Sequence, residues 1–181
     1  MPAPHFPDLT LDSAPPAARR TMEGMARKQG GLVPSAVARL AASPETLDAF
    51  LRASAAFEST TLDPLSREVV VMTMATRNEC HVCVENHTER LTSLDAAPEL
   101  VAALRAPEDR PLPDERLEGV RLFTLAALKT SGAVGDDDLR AFLSLGHTPR
   151  NALEVVLGIG AYTISTLANR MTGAPVGTVP A

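Results

Sequence analysis

Apolar residues recur along this chain at steps of three and four, and a proline or small polar residue stands ahead of most such runs. Residues 17–29 form the first predicted helix, stopped by Gly30-Gly31. Pro34-Ser35 opens a short one reaching about Ala42. Ser43-Pro44-Glu45 starts the next, where Leu47, Phe50, Leu51, Ser54 and Phe57 keep helical spacing through Glu58. Asp63-Pro64 is a capped start with proline at the first helical position. Behind it, Val69, Val70, Val71, Met72, Met74 and Ala75 leave little polar face, so this helix is expected to be buried on most sides. Polarity rises at Arg77-Asn78-Glu79, the expected turn, and a second helix is predicted over about 80–94. Further helices are predicted over 98–105, 114–130, 136–145 and 150–172, with a proline-rich, charged loop at 106–113. Gly158, Gly160 and Ala161 in the last helix permit close helix approach.

No segment alternates convincingly as a strand and none repeats. The expected fold is all-α: a single-domain helical bundle with a C-x-x-C at the start of a helix in a helical hairpin. Residues 1–16 read as a proline-rich extended arm, either disordered or lying across a neighbouring subunit. Residues 17–175 read as the helical domain and 176–181 as a C-terminal tail.

Composition agrees with that class. Of 181 residues 45% are hydrophobic, yet only 3% are aromatic and tryptophan is absent. The core must be built from Ala, Leu, Val and Met, which suits closely packed helices. A net charge of −5 with no basic run makes nucleic acid an unexpected partner. No apolar run of bilayer length and no cationic leader is read, so the expectation is a cytoplasmic protein without a membrane partner. In a reducing compartment a C-x-x-C pair points to catalysis or metal binding before a structural staple.

Both cysteines fall in Cys80-His81-Val82-Cys83. Cys80 and Cys83 are three apart and Cys83 and His87 four apart, so the three share one helical stripe. Glu68 lies about as far before the turn as His87 lies after it, so antiparallel packing would set them at similar height. The predicted line is Glu68, His87, Cys83, Cys80. A thiol at a helix N-terminus is acidified, two thiols one turn apart can close a disulfide, and a buried carboxylate facing an imidazole holds the ring and shares its proton. Together these parts describe a dithiol redox centre. A metal reading would take Cys80, Cys83 and His87, with His81 or Glu68 completing the set. The absence of a second Cys/His cluster sets it behind the redox reading, and no metal or cofactor is expected. His81 is a possible auxiliary group at the site mouth. His147 and His5 read as structural or incidental, Asp136-Asp137-Asp138 as a first-turn cap, and Met72 and Met74 as core. Two arguments compete for the nucleophile. The helix dipole favours Cys80, whereas a proton relay from His87 reaches Cys83 first. The relay is worth more, so Cys83 is expected to attack, and an exposed Cys80 to resolve and to meet the reducing thiol.

At these residues the chain resembles the AhpD-like alkyl hydroperoxidase branch of the carboxymuconolactone decarboxylase family. Its signature is a glutamate twelve residues before C-x-x-C and a histidine four after the second cysteine, matched by Glu68, Cys80, Cys83 and His87. The likeness runs from about Gly30 to Gly173, with GGLVPSAVARLAASPETLDAFL at its start and GHTPRNALEVVLGIGAYTISTLANRMTG at its end. It implies an all-α homo-oligomer acting as a thiol peroxidase or disulfide reductase. A hydroperoxide would be the substrate, and a lipoyl-protein or thioredoxin-like dithiol the external donor. Where the characterised peroxidase has a second histidine directly before its second cysteine, this chain has Val82, and its histidine is His81. The alternatives from other classes are a non-redox lyase like the decarboxylase namesake and a redox-sensing thiol protein without turnover.

Overall fold

The computed structural model describes residues 5–106 and 110–181. The first four residues of the expected arm and three of the expected 106–113 loop lie outside them. In chain order the elements are α1 (Pro16–Lys28), β1 (Leu32–Pro34), α2 (Ser35–Leu40), α3 (Pro44–Glu58), α4 (Pro64–Arg77), α5 (His81–Ser93), α6 (Pro98–Arg105), α7 (Glu115–Lys129), α8 (Asp136–Ser144), α9 (Pro149–Thr172) and β2 (Thr178–Pro180). The start signals act as caps. Ser43, Asp63 and Asp114 accept the backbone N–H groups of Thr46, Ser66 and Leu117. Thr148 and Asn151 close a reciprocal capping box ahead of α9.

Helices α4 and α9 form the axis of the bundle. α9 packs along α3 and α4, and α4 also carries α5 and α7. Val69, Val70, Val71 and Met72 are fully buried, each contributing about 1.5–3 kcal/mol by leaving water. The close approach expected of α9 is made at Gly158: a β-carbon there would lie 2.7 Å from the Phe57 ring and 3.0 Å from Val70 Cγ1. Gly160, by contrast, faces open space.

A smaller layer lies across one end of the bundle, with Ala14, Ala18, Met22, Val33, Val37 and Leu47 as its buried core. Strand β1 pairs antiparallel with β2, Val33 opposite Val179. This ribbon departs from the expectation of no strand. Each strand is three residues long and ends in proline, too short to show alternation, and the fold remains all-α. The described part of the arm makes contacts with its own chain. The Leu9 amide donates to the Ala38 carbonyl at 3.3 Å, and Asp8 pairs with the buried Arg39 at 2.7 Å.

A second departure concerns α9. Among the described residues it is the one helix long and apolar enough, by length and composition, to cross a membrane, with a mean hydropathy of 1.3 over an 18-residue window. Its place between α3 and α4 gives a sufficient reason for one apolar side, and 44% of that window is buried inside the protein.

Candidate dithiol site

The turn between α4 and α5 places the first sulfur. Helix α4 ends at Asn78, Glu79 adopts a left-handed φ of 50°, and the Cys80 amide then donates back to the Ala75 carbonyl at 2.8 Å. This is the backbone closure of a glycine-type helix end, made with a glutamate at a strained angle. The turn is bolted to α9. Arg170 donates to the Asn78 and Glu79 carbonyls at 2.9 and 3.0 Å and pairs with the Glu79 carboxylate at 2.7 Å. Asn78 Nδ2 donates to Thr166 Oγ1 at 2.8 Å.

Cys80 is thereby the N-cap of α5 and Cys83 sits one turn in, with their sulfurs 3.2 Å apart. Neither is exposed: Cys80 is 1% and Cys83 4% accessible. The expectation of an exposed Cys80 is therefore corrected. Ala75, Val82 and Ala174 are buried with the pair, and Ala36 packs against them, so the smaller layer helps to close the site. The two thiols titrate as a unit. Cys80 is drawn down to about 6 chiefly by its hydrogen bond with the Cys83 thiol, against burial, with the Cys83 backbone N–H, the Asn169 amide and the His81 charge adding to it. Cys83 is pushed up by that same hydrogen bond, by burial and by the neighbouring Cys80 charge. The helix dipole acts most strongly at Cys80, the N-cap position.

Glu68 and His87 meet across the hairpin as the spacing predicts, His87 Nδ1 standing 2.7 Å from Glu68 Oε2. A buried carboxylate can only accept, so Nδ1 carries the proton and Nε2 keeps the lone pair in the neutral ring. Glu68 is 1% exposed, and its other oxygen is ion-paired with Arg90 Nε at 2.7 Å. Arg90 in turn pairs with Glu58. Tyr162 packs edge-on to the imidazole, ring centroids 5.2 Å apart, and its phenol is pushed up to about 12 by burial.

Three partners at the site were not read from sequence. Ser165 Oγ lies 3.6 Å and Asn169 Nδ2 3.5 Å from Cys83 Sγ, both from α9, and Arg90 completes the Glu68 pair. The available signal for the first two was a pair of polar residues four apart in the second half of α9. His81 projects outward and is exposed. His147 is buried and stacked on Phe142 at 4.3 Å, with Nε2 3.2 Å from the Arg116 carbonyl, a packing role away from the sulfurs. Among the described residues no three His, Cys, Asp or Glu side chains converge to hold a metal ion.

No family model and no curated protein matches the sequence. Solved structures do. An uncharacterized peroxidase-related protein with an alkylhydroperoxidase AhpD core, from Ralstonia eutropha JMP134, superposes with a TM-score of 0.80 at 23% identity, covering 95% of this chain and 91% of that one. A peroxidase-related protein from Silicibacter sp. TM1040 gives 0.75 at 21%, covering 97% and 94%. A debrominase solved with 2,3,4-tribromopyrrole gives 0.74 at 13%, covering 98% and 93%. The fold of this chain is the AhpD-like fold.

Proposed function

We propose that this chain is a thiol-dependent oxidoreductase of the AhpD-like family that reduces hydroperoxides through Cys80 and Cys83. The observation that carries the reading is a pair of sulfurs 3.2 Å apart at a helix N-terminus, with an imidazole one turn beyond Cys83 on the same helix whose Nδ1 is fixed on a buried carboxylate. A lyase has no need of the second thiol.

We take Cys80, the sulfur at the helix N-terminus, as the attacking one, the reverse of the order argued from the relay. The Cys80 thiolate attacks a hydroperoxide oxygen: an S–O bond forms, the O–O bond breaks, and the alkoxide leaves as alcohol after taking a proton. Cys83 then loses its proton, with His87 as base and Glu68 holding the ring, and attacks the Cys80 sulfur. The S–S bond forms and the oxygen leaves as water. An external dithiol, lipoyl or thioredoxin-like, reopens the disulfide by exchange. Such chemistry suits a reducing compartment such as the cytoplasm.

The test is one equivalent of hydroperoxide added to the reduced protein. Both thiols should disappear together, the mass should fall by two hydrogens, and turnover should follow when a dithiol donor is supplied. Cys83→Ser should trap a sulfenic acid on Cys80, whereas Cys80→Ser should trap none. Trapping only in Cys80→Ser would restore Cys83 as nucleophile, and a reduced pair indifferent to peroxide would remove the function.

A further inference from the structure

We infer that Asn169 and Ser165 form the group that holds Cys83 as a thiolate, making α9 a catalytic partner of the cysteine helix. The inference rests on the dithiol reading and adds to it the residues that carry the second sulfur's charge.

Asn169 and Ser165 lie one turn apart on α9, 3% and 6% exposed. The Asn169 amide donates to Cys83 Sγ at 3.5 Å and to Ser165 Oγ at 3.4 Å. Ser165 accepts that bond, which leaves its own proton for the sulfur 3.6 Å away. Other hydroxyls on this helix behave differently. Thr163, Thr166 and Thr172 each donate to the carbonyl four residues back, the usual disposal of a hydroxyl on a helix. The Ser165 hydroxyl is instead turned to the sulfur.

The second observation is the other end of the Asn169 amide. Its Oδ1 is buried and has no hydrogen-bond partner among the described residues. A buried acceptor without a bond costs stability, a cost the buried His147 Nδ1 shares; what sets Asn169 apart is that its donor end faces a sulfur. Here the donor end faces a sulfur and the acceptor end is left without a bond. That arrangement strengthens an anion at the sulfur the amide reaches, Cys83 Sγ, and adds to the acidity of the neighbouring Cys80.

The step it serves is the opening of the disulfide. A donor thiolate attacks Cys80 Sγ, the Cys80–Cys83 bond breaks, and its electron pair leaves on Cys83. A mixed disulfide between the donor and Cys80 forms at the same moment. The donor's second thiolate then attacks its own sulfur in that mixed disulfide and releases Cys80, so two electrons pass to the pair. Cys83 is the leaving group of the first exchange, and its departure speeds up as its thiolate is stabilised. Buried within the chain, that thiolate has the amide and the hydroxyl in place of water.

The experiment oxidises the full-length protein with diamide and follows disulfide opening by dithiothreitol, beside thermal melting of each oxidised form. Asn169→Ala should open about tenfold more slowly, the loss expected for one hydrogen bond to a charged group, with a melting temperature equal to or above wild type. Ser165→Ala, which removes only a hydroxyl, should slow opening in the same direction. Wild-type opening rates in both variants, whatever their melting temperatures, make the pair structural and overturn the inference. A wild-type protein that diamide cannot oxidise to the disulfide overturns the dithiol reading itself, a separate result visible before any variant is made.

Discussion

Cys80 illustrates how a single position acquires chemistry from four surrounding features. It caps a helix, a strained glutamate precedes it, a second thiol stands 3.2 Å away, and burial opposes its charge. The hydrogen bond with Cys83 lowers the Cys80 thiol and burial opposes it. Followed by the ultraviolet absorbance of the thiolate, which needs no reagent access, the reduced protein should show its first thiol titration at about pH 6. Cys83→Ala should shift that step upward, since the hydrogen bond is lost and burial remains. A first step near the value of a free thiol, about 8.5, would contradict the assignment. At this scale Glu68, Cys80, Cys83 and His87 were legible because all four sit in one hairpin, where helical spacing decides who faces whom. Ser165 and Asn169 were not. They stand 82 and 86 residues from Cys83 in sequence, and periodicity within one helix carries no information about which helix it will meet. The thiol order depends on a similar limit: the relay weighs a base nearby in sequence, and only the fold shows the two sulfurs buried together 3.2 Å apart.

The elements were legible almost throughout, because proline after a capping side chain marks the start of α3, α4 and α9 without help from tertiary contacts. The β-ribbon was not, since each strand is stable only against the other end of the chain. That ribbon belongs to the layer over the sulfurs, and Arg39 of α2 fastens the layer. Its guanidinium pairs with Asp8 of the arm and donates to the Thr172 and Gly173 carbonyls at the end of α9. Gly173 itself has the left-handed φ of 62° that a glycine supplies at a helix end. Arg39→Ala would leave Asp8 and two carbonyls without their partner, a loss of roughly 3 kcal/mol for a largely buried pair. With Ala36 and Ala174 less firmly seated over the cysteines, a bulky maleimide should label Cys80 and Cys83 faster in the variant than in wild type. Equal labelling rates, with lowered stability, would mean that access to the sulfurs does not pass through this layer.

For the whole molecule, the open question is what meets the outer side of α9. Leu153 is 73% exposed and Met171 66%, with Val156 and Leu167 also more than half exposed. Residues 153, 156, 160, 164, 167 and 171 follow steps of three and four, so they trace one stripe along the helix, about 27 Å long at the α-helical rise. Gly160 lies inside the stripe with open space where its side chain would be, a place where a second helix can approach closely. Isolated exposed apolar residues are ordinary, whereas a continuous stripe is the kind of surface that a partner covers. A second copy of this chain is the occupant that we expect. The stripe can meet itself about a two-fold axis, and the opposite side of α9 is already engaged with Phe57, Val70 and the sulfur site. The interface would therefore lie directly behind Ser165 and Asn169. Light scattering at micromolar concentration should show a stable oligomer. Leu153→Glu combined with Met171→Glu should reduce it to a smaller species with the helical content kept, because both side chains are on the surface of the folded chain. A wild-type protein that is monomeric under those conditions would leave the stripe without a partner of its own kind.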